Sequence, residues 1–184
     1  KVTPASITVG GIAGGPNFMC TTAAVSGLTT SQSSVTSSIN AMVASGSTNI
    51  QEGLMWGWRL LSPGAPFTDG RTYTVNDNQK IIILMTDGEY DIQYCKGVST
   101  DSINCSSPNG SSTEQARRLC TNMKNAGITV FTVGFQLAKG GEAHETMRQC
   151  ATNAPRFFWA DDGEALKQAF RDIALQISTL YLTH

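Results

Sequence analysis

The chain has 184 residues, a formal net charge of -1 and only 15% charged residues, which predicts one globular domain with a substantial core. The near-zero net charge excludes a basic surface for nucleic acid and an acidic tail. A membrane helix requires about 20 apolar residues, and no apolar run in the sequence is that long. No signal-peptide pattern is present.

The first 22 residues are rich in Gly, Pro and Thr and predict a loop or linker, followed by a domain over residues 23–184. A glycine cluster at 10–15 does not spell GxGxxG and opens no helix, so it does not indicate nucleotide binding. A short strand is predicted at 23–28. Because the sequence opens on Lys1 without an initiator Met, we expect a processed product or part of a longer protein.

Two amphipathic helices are predicted next. Apolar residues at helical spacing indicate a helix over 31–44, which Gly46 ends, and a second helix over 51–61, which Pro63 cannot continue.

The most apolar stretch, at 81–85, runs into a Thr-Asp-Gly turn. A short continuous apolar run of this kind predicts a central parallel strand that helices bury on both faces. Asp87 then lies at the carboxyl end of the strand, and ligands of open α/β sheets bind at that edge.

The second half of the chain alternates helices with strands. Ser111-Ser-Thr-Glu114 is typical of a capping box and predicts a helix that stops at Gly127. The elements predicted after it are a buried strand at 128–135, a helix at 142–152, a short strand at 156–159 and a last helix from Asp161 or Asp162. This alternation predicts a parallel, doubly wound α/β sheet.

Five cysteines, without a CxxC pair and with only two histidines, argue against a Cys/His metal site. Cys95 and Cys105 bracket a polar segment, and we expect them to form a loop disulfide. Cys120 and Cys150 either form a second bridge or are separate small buried hydrophobic residues. Cys20 is left to pair outside the chain. Disulfides would indicate an oxidising envelope or extracellular compartment.

Three segments resemble, in order and spacing, the von Willebrand factor type A domain: Gly46-Ser-Thr48-Asn-Ile-Gln-Glu-Gly-Leu54, Ile83-Leu-Met-Thr-Asp87-Gly88 and Gly127-Ile-Thr-Val-Phe-Thr-Val-Gly134. More narrowly, phrases such as Trp56-Gly-Trp-Arg-Leu-Leu-Ser-Pro63 are similar to the C-terminal region of bacterial tight-adherence (Tad) pilus assembly proteins of the G type. The resemblance implies a Rossmann-type, mainly parallel sheet with helices on both faces, lacking the first central strand in this chain.

The resemblance also implies a metal-ion-dependent adhesion site, in which three loops at the carboxyl edge of the sheet hold a divalent cation. Thr48 matches the second loop and Asp87 the third. Hydroxyl, carboxylate and water oxygens suit a hard cation such as Mg²⁺, Mn²⁺ or Ca²⁺, and an open position on the ion accepts a carboxylate from a partner protein. The Asp-x-Ser-x-Ser motif of the first loop is missing from the sequence. We therefore expect it on a separate or upstream segment, and expect weak or no cation binding by this chain alone.

Each candidate residue also has a simpler interpretation. Thr48-x-x-Gln51 spells a capping box, and Asp87 is a common turn residue before glycine. Glu89 and Asp91 lie just beyond and either tune the ion, contact a partner or are solvated loop residues.

Three further side chains receive structural roles rather than binding roles. We expect Trp56 and Trp58 to fill the core or to contact the missing part of the sheet rather than to form a ligand cage. His144 is expected on the surface.

The function that follows from the resemblance is a non-enzymatic protein-binding, adhesion or pilus-assembly module of the bacterial envelope. It would act in the periplasm or on the cell surface, with a pilus or surface component as its partner. The first alternative is a structural surface or pilus subunit whose metal site has decayed. A metal-assisted hydrolase is a remote alternative, because no positioned general base stands out and no GxSxG elbow exists.

Overall fold

The computed structural model describes residues 7–9, 12–14, 23–44, 48–74, 78–90 and 107–182. Its elements in chain order are β1 (Ile7–Val9), β2 (Ile12–Gly14), α1 (Gln32–Asn40), α2 (Ile50–Leu61), β3 (Ile81–Thr86), α3 (Ser112–Asn125), β4 (Thr129–Phe135), α4 (Glu142–Cys150), β5 (Phe157–Ala160) and α5 (Gly163–Leu182). Across these ranges, no helix combines the length and the apolar character needed to cross a bilayer.

Strands β3, β4 and β5 form a parallel sheet in that order, as the alternating pattern predicts. The β3–β4 register runs from Ile81 opposite Thr129 to Thr86 opposite Gly134, and β5 pairs with the second half of β4. The carboxyl ends of the three strands therefore meet at one edge, which we call the carboxyl edge.

Helices cover both faces of the sheet, as the sequence predicts. On one face, α2, α3 and α4 pack around a core that includes Leu54, Met123 and Val130. On the other face, α5 packs on Phe131 and Val133 of β4, the strand that also contains Val130. Five consecutive residues of β4 are buried, which makes β4 the strand that both helical layers share.

Three side-chain pairs, about one helical turn apart, link α3 to α4. They are the hydrogen bonds from Thr113 Oγ1 to Glu142 Oε1 (2.8 Å) and from Arg117 Nη2 to Thr146 Oγ1 (2.7 Å), and the disulfide between Cys120 and Cys150. Both cysteines are fully buried. The prediction of a bridge between them is therefore confirmed. The predicted Cys95–Cys105 bridge and Cys20 lie outside the described residues.

The prediction that helices bury β3 on both faces is wrong for one face. Ile82, on the face under α2, is 9% exposed, whereas Ile83 and Met85 on the opposite face are 42% and 44% exposed. The reason is positional, because α5 packs mainly on β4 and β5. Within the described ranges β3 is also an edge strand. The part of this face around Ile83 and Met85 therefore has no covering layer among the described elements, whereas Ile81 packs against the core on the α5 side.

Three predictions for the first third of the chain are also wrong. The expected loop over 1–22 contains the antiparallel pair β1–β2, because β-branched residues at 7–9 favour a strand despite the surrounding glycines. The strand expected at 23–28 is irregular chain, where Gly27 interrupts the apolar residues. Helix α1 ends at Asn40 rather than at the predicted Ala44, and none of its residues is buried.

Candidate functional site

The turn after β3 is closed by the side chain of its last residue. Thr86 Oγ1 accepts a hydrogen bond from Gly88 N at 3.2 Å and donates one to Gly88 O at 3.3 Å. Between them, Asp87 is exposed at the end of the strand. The sequence prediction that Asp87 lies at the carboxyl edge is confirmed.

Thr48 lies against this turn. A Cβ atom placed on Gly88 would be 3.3 Å from Thr48 Oγ1 and 4.0 Å from its methyl carbon. The Thr48 hydroxyl and the residue next to Asp87 are thus neighbours, although 40 positions separate them in the sequence. Thr48 therefore lies beside the turn that carries Asp87, and the roles of both side chains as cation ligands stay predictions.

The capping-box interpretation of Thr48 is wrong. The N-cap residue of α2 is Asn49, whose Oδ1 accepts a hydrogen bond from Glu52 N at 3.3 Å. Thr48 therefore precedes the N-cap residue of α2.

The residues at this edge fit part of a cation site. The Thr48 hydroxyl and the Asp87 carboxylate provide the oxygen ligands that hard cations prefer. A complete shell around Mg²⁺ or Ca²⁺ takes about six or more oxygens, and no group of three His, Cys, Asp or Glu side chains suited to a metal occurs in the described ranges. Water or another segment would have to provide the remaining ligands.

Of the two acidic residues predicted beside the site, only Glu89 is described. Glu89 is exposed, two positions after Asp87, and its role toward an ion or a partner stays a prediction. Asp91 lies outside the described residues.

Tyr90 fixes the far end of the turn, and the sequence analysis missed it. Its ring is 8% exposed and belongs to the core beneath α3 and α4. The phenol donates a hydrogen bond to Met147 Sδ at 3.4 Å, and the main-chain oxygen accepts one from Ser112 Oγ at 2.6 Å. Burial raises the pKa of Tyr90, and this outweighs the opposite effect of the Arg117 charge. The hydroxyl therefore stays protonated and remains a donor.

Gln136 is a second residue at the carboxyl edge that the sequence did not indicate. It follows β4 with a φ of 53°, a left-handed conformation that is unusual for a residue other than glycine. Its backbone N–H donates to Ala160 O at 2.7 Å and its side chain to Asp161 O at 3.3 Å. Gln136 thereby ties the ends of β4 and β5 together, and no sequence pattern available for a single chain marks such a residue.

The expectation that His144 lies on the surface is wrong. His144 is 9% exposed and packs edge to face on Phe157, with ring centroids 5.1 Å apart. Its Nδ1 is 3.4 Å from a carboxylate oxygen of Glu145. The sequence of α4 is mostly polar, so it did not indicate which face of the helix is buried.

The two tryptophans of α2 have structural contacts, as expected. Trp58 packs against the core and donates a hydrogen bond to Tyr73 Oη at 2.8 Å. Trp56 contacts Phe67 edge to face at 6.1 Å.

Comparison with known proteins agrees with this architecture. The family profile of the von Willebrand factor type A domain matches residues 17–172. The pilus adhesin SpaC from Lactobacillus rhamnosus GG is similar in fold, with a TM-score of 0.57 and 18% identity over 80% of this chain. Its open conformation gives a TM-score of 0.55 at 17% identity, also over 80% of this chain. Proximal thread matrix protein 1 from the mussel byssus aligns with a TM-score of 0.49 and 22% identity over 76% of this chain and 28% of that protein.

The likeness to the adhesin concerns a limited part of that protein, since in both conformations the alignment covers 21% of its chain. A search of curated proteins found no match. These comparisons do not bear on the narrower likeness to Tad proteins, which stays a prediction. The family profile covers most of the sequence, and the parallel sheet with helices on both faces agrees with it. The chain therefore belongs to the von Willebrand factor type A domain family.

Proposed function

We propose that this chain is part of a non-enzymatic adhesion or assembly module of the bacterial envelope, and that its carboxyl edge captures a protein partner through a divalent cation. The observation that carries the proposal is the contact between the Thr48 hydroxyl and the turn that presents Asp87. A hydroxyl beside a turn that carries a carboxylate, at the ligand-binding edge of a parallel sheet, supports an oxygen-ligand site there.

The open side of β3 supports the idea that another segment completes this site. Within the described ranges β3 pairs only with β4, and Ile83 and Met85 are exposed beside the unpaired edge. A parallel strand added there would cover apolar surface, which is favourable. It would also end at the carboxyl edge. A segment with an Asp-x-Ser-x-Ser loop after such a strand would bring its oxygens next to Asp87 and Thr48.

The partner in this proposal is a pilus or surface component that offers a carboxylate to the open position of the ion. Glu89 is exposed near that position and would favour the bound cation while opposing additional negative charge. The Tad-type resemblance of the sequence supports a role in pilus assembly. The fold shared with a pilus adhesin supports a role in adhesion.

The proposed location is the periplasm or the cell surface. Its physical support is the buried disulfide between α3 and α4, because such bridges persist in oxidising compartments.

The test uses Mn²⁺ as the probe. We expect MnCl₂ titrated into ¹⁵N-labelled chain to broaden the amide resonances of Thr48, Asp87 and Gly88 first, because paramagnetic relaxation falls steeply with distance. Asp87→Asn and Thr48→Val should remove this broadening. Asp69→Asn, which alters an exposed carboxylate outside the site, should not.

A second titration includes a synthetic strand peptide that ends in Asp-x-Ser-x-Ser, and we expect Mn²⁺ to bind more tightly in its presence. Broadening that Asp87→Asn leaves unchanged would contradict the proposal. A lack of saturable broadening, with or without the peptide, would favour a structural subunit with a decayed metal site.

A further inference from the structure

We propose that Tyr90 and Ser112 are positioning residues, which hold the turn carrying Asp87 on the disulfide-linked pair of helices α3 and α4. This inference rests on the proposed function of the carboxyl edge, and it adds the part of the molecule that sets the geometry of that edge.

The attachment consists of two hydrogen bonds and a buried ring. Ser112 Oγ, in the first turn of α3, donates to Tyr90 O at 2.6 Å, and Tyr90 Oη donates to Met147 Sδ of α4 at 3.4 Å. Ser112 is 5% exposed and Met147 is fully buried. Tyr90 thus contacts both helices, one through its backbone and the other through its side chain.

The two helices form a firm support because they are joined along their length. The Thr113–Glu142 hydrogen bond, the Arg117–Thr146 hydrogen bond and the Cys120–Cys150 bridge connect successive turns. Further along, Lys124 Nζ donates to Gln149 O at 2.8 Å and to Ala151 O at 3.3 Å. Tyr90 therefore contacts a braced pair of helices rather than a single helix.

The turn has little freedom between its two attachments. Thr86 is held in the sheet opposite Gly134, and Tyr90 is held by α3 and α4, which leaves only residues 87–89 between the fixed points. Within these three residues, the position of a Cβ atom on Gly88 is 3.3 Å from the Thr48 hydroxyl. Release of Tyr90 would allow the turn to move relative to Thr48. A metal site loses affinity when its ligands are not held in place by their surroundings.

The deciding variant is Ser112→Ala, studied in the full chain. We expect amide hydrogen exchange at Gly88, Glu89 and Tyr90 to accelerate about tenfold, the effect of losing one buried hydrogen bond. Exchange at Val130 and Val133 in β4 should be unchanged. The apparent Kd for Mn²⁺ should rise about three- to tenfold on the same grounds. Ser112→Thr should restore both values, because it keeps the hydroxyl.

The matched control is Ser178→Ala, which removes a hydroxyl that donates to Ala174 O at 2.9 Å in the remote helix α5. Tyr90→Phe keeps the ring and removes only the weak contact to sulfur, so it should give a smaller change in the same direction as Ser112→Ala.

Three results would overturn the inference. The first is equal acceleration of exchange in the turn and in β4, because this would show a general stability effect. The second is no acceleration at all. The third is faster exchange with unchanged Mn²⁺ affinity in a chain where Asp87→Asn abolishes binding. If Asp87→Asn itself leaves Mn²⁺ binding unchanged, the proposed function is wrong, and the exchange data alone then decide whether Tyr90 and Ser112 hold the turn.

Discussion

Gly88, in the turn that carries Asp87, lies beside Thr48. A methyl group at this position would lie 3.3 Å from Thr48 Oγ1, closer than a normal van der Waals contact. We expect Gly88→Ala to displace Thr48 or the turn by a few tenths of an ångström and to weaken Mn²⁺ binding severalfold. The free energy of unfolding should change by less than about 1 kcal/mol.

The matched control is Gly53→Ala in α2, where nothing lies within 4 Å of the added carbon. It should stabilise the protein by up to about 1 kcal/mol, because alanine favours a helix more than glycine. Both variants are compared by Mn²⁺ titration and urea unfolding. Unchanged Mn²⁺ affinity in Gly88→Ala would show that the Thr48 contact is irrelevant to cation binding.

The residues of the site differ in how far the sequence predicts them. Asp87 is predictable because it ends an apolar run at a turn. Thr48 follows only from the resemblance of the segment Gly46–Leu54 to the family. Tyr90 is not predictable in this way, since its partner Met147 is 57 positions away. The same limit applies to His144, whose burial depends on contact with Phe157 of another element.

At the scale of a single element, the N-terminus of α3 depends on an ionised side chain. Glu114 Oε2 accepts a hydrogen bond from Ser111 N at 2.7 Å, and Ser111 Oγ accepts one from Glu114 N at 3.3 Å. Hydrogen bonding to Ser111 lowers the pKa of Glu114 from its ordinary value of 4.5. The larger effect comes from the Ser111 backbone and the smaller one from the Ser111 side chain. This is the capping box that the sequence predicts.

The lowered pKa leads to a prediction for Glu114→Gln. A carboxyl group whose pKa is lower in the folded state stabilises the protein above its unfolded pKa. This stabilisation is lost as the pH falls through the folded value. The variant should therefore have a lower Tm than the wild type at pH 7, with a difference that shrinks as the pH falls below 4.5. Thermal unfolding followed by circular dichroism measures it, and a pH-independent difference would contradict the assigned cause.

The bridge between α3 and α4 gives a second prediction at this scale. Cys120 and Cys150 are 30 positions apart, and closing a loop of that size stabilises a protein by about 3 kcal/mol. We expect the double variant Cys120→Ala/Cys150→Ala to lose about that free energy of unfolding in urea. Reduction of this bridge in the wild-type protein should lower the free energy of unfolding by a similar amount. Equal stability of the variant and the oxidised wild type would contradict the prediction.

The elements also show where sequence patterns are sufficient. Helix α3 and strand β4 lie within a residue or two of their predicted limits, because a capping box, a terminating glycine and a long β-branched run mark them locally. The burial of β3 is not marked locally. Its apolar run is the same whether one face or both faces are covered, so the exposure of Ile83 and Met85 depends on which other elements are present.

At the scale of the whole molecule, exposed apolar side chains of the described residues include members of one face of β3 and of α1. Ile83 and Met85 of β3 are exposed, and so are Val35 and Ile39 of α1. No charged side chain occurs between Lys1 and Glu52. The surface of α1 therefore has no nearby charge in sequence that would oppose its contact with other apolar surfaces. Exposed apolar surface beside an unpaired strand edge promotes association.

We therefore expect the isolated chain to associate as its concentration rises, and we expect Ile83→Lys to reduce this association without lowering the Tm. A charge at an edge strand opposes pairing with another chain. Ala174→Lys, which adds the same charge at an exposed site on α5, is the control and should have less effect. Sedimentation velocity measures the association. An equal effect of the two lysines would show that net charge, rather than the edge of β3, governs it.

In our proposal, one ligand is a strand that pairs with the free edge of β3 and the other is the cation at the carboxyl edge. The binding of the two is thermodynamically coupled. Two ligands that stabilise the same arrangement must increase each other's affinity by the same factor. If a bound strand raises the affinity for the ion tenfold, the bound ion raises the affinity for the strand tenfold. This factor corresponds to about 1.4 kcal/mol of coupling free energy. Removal of the ion by a chelator would then loosen the assembled sheet as well as the grip on a partner.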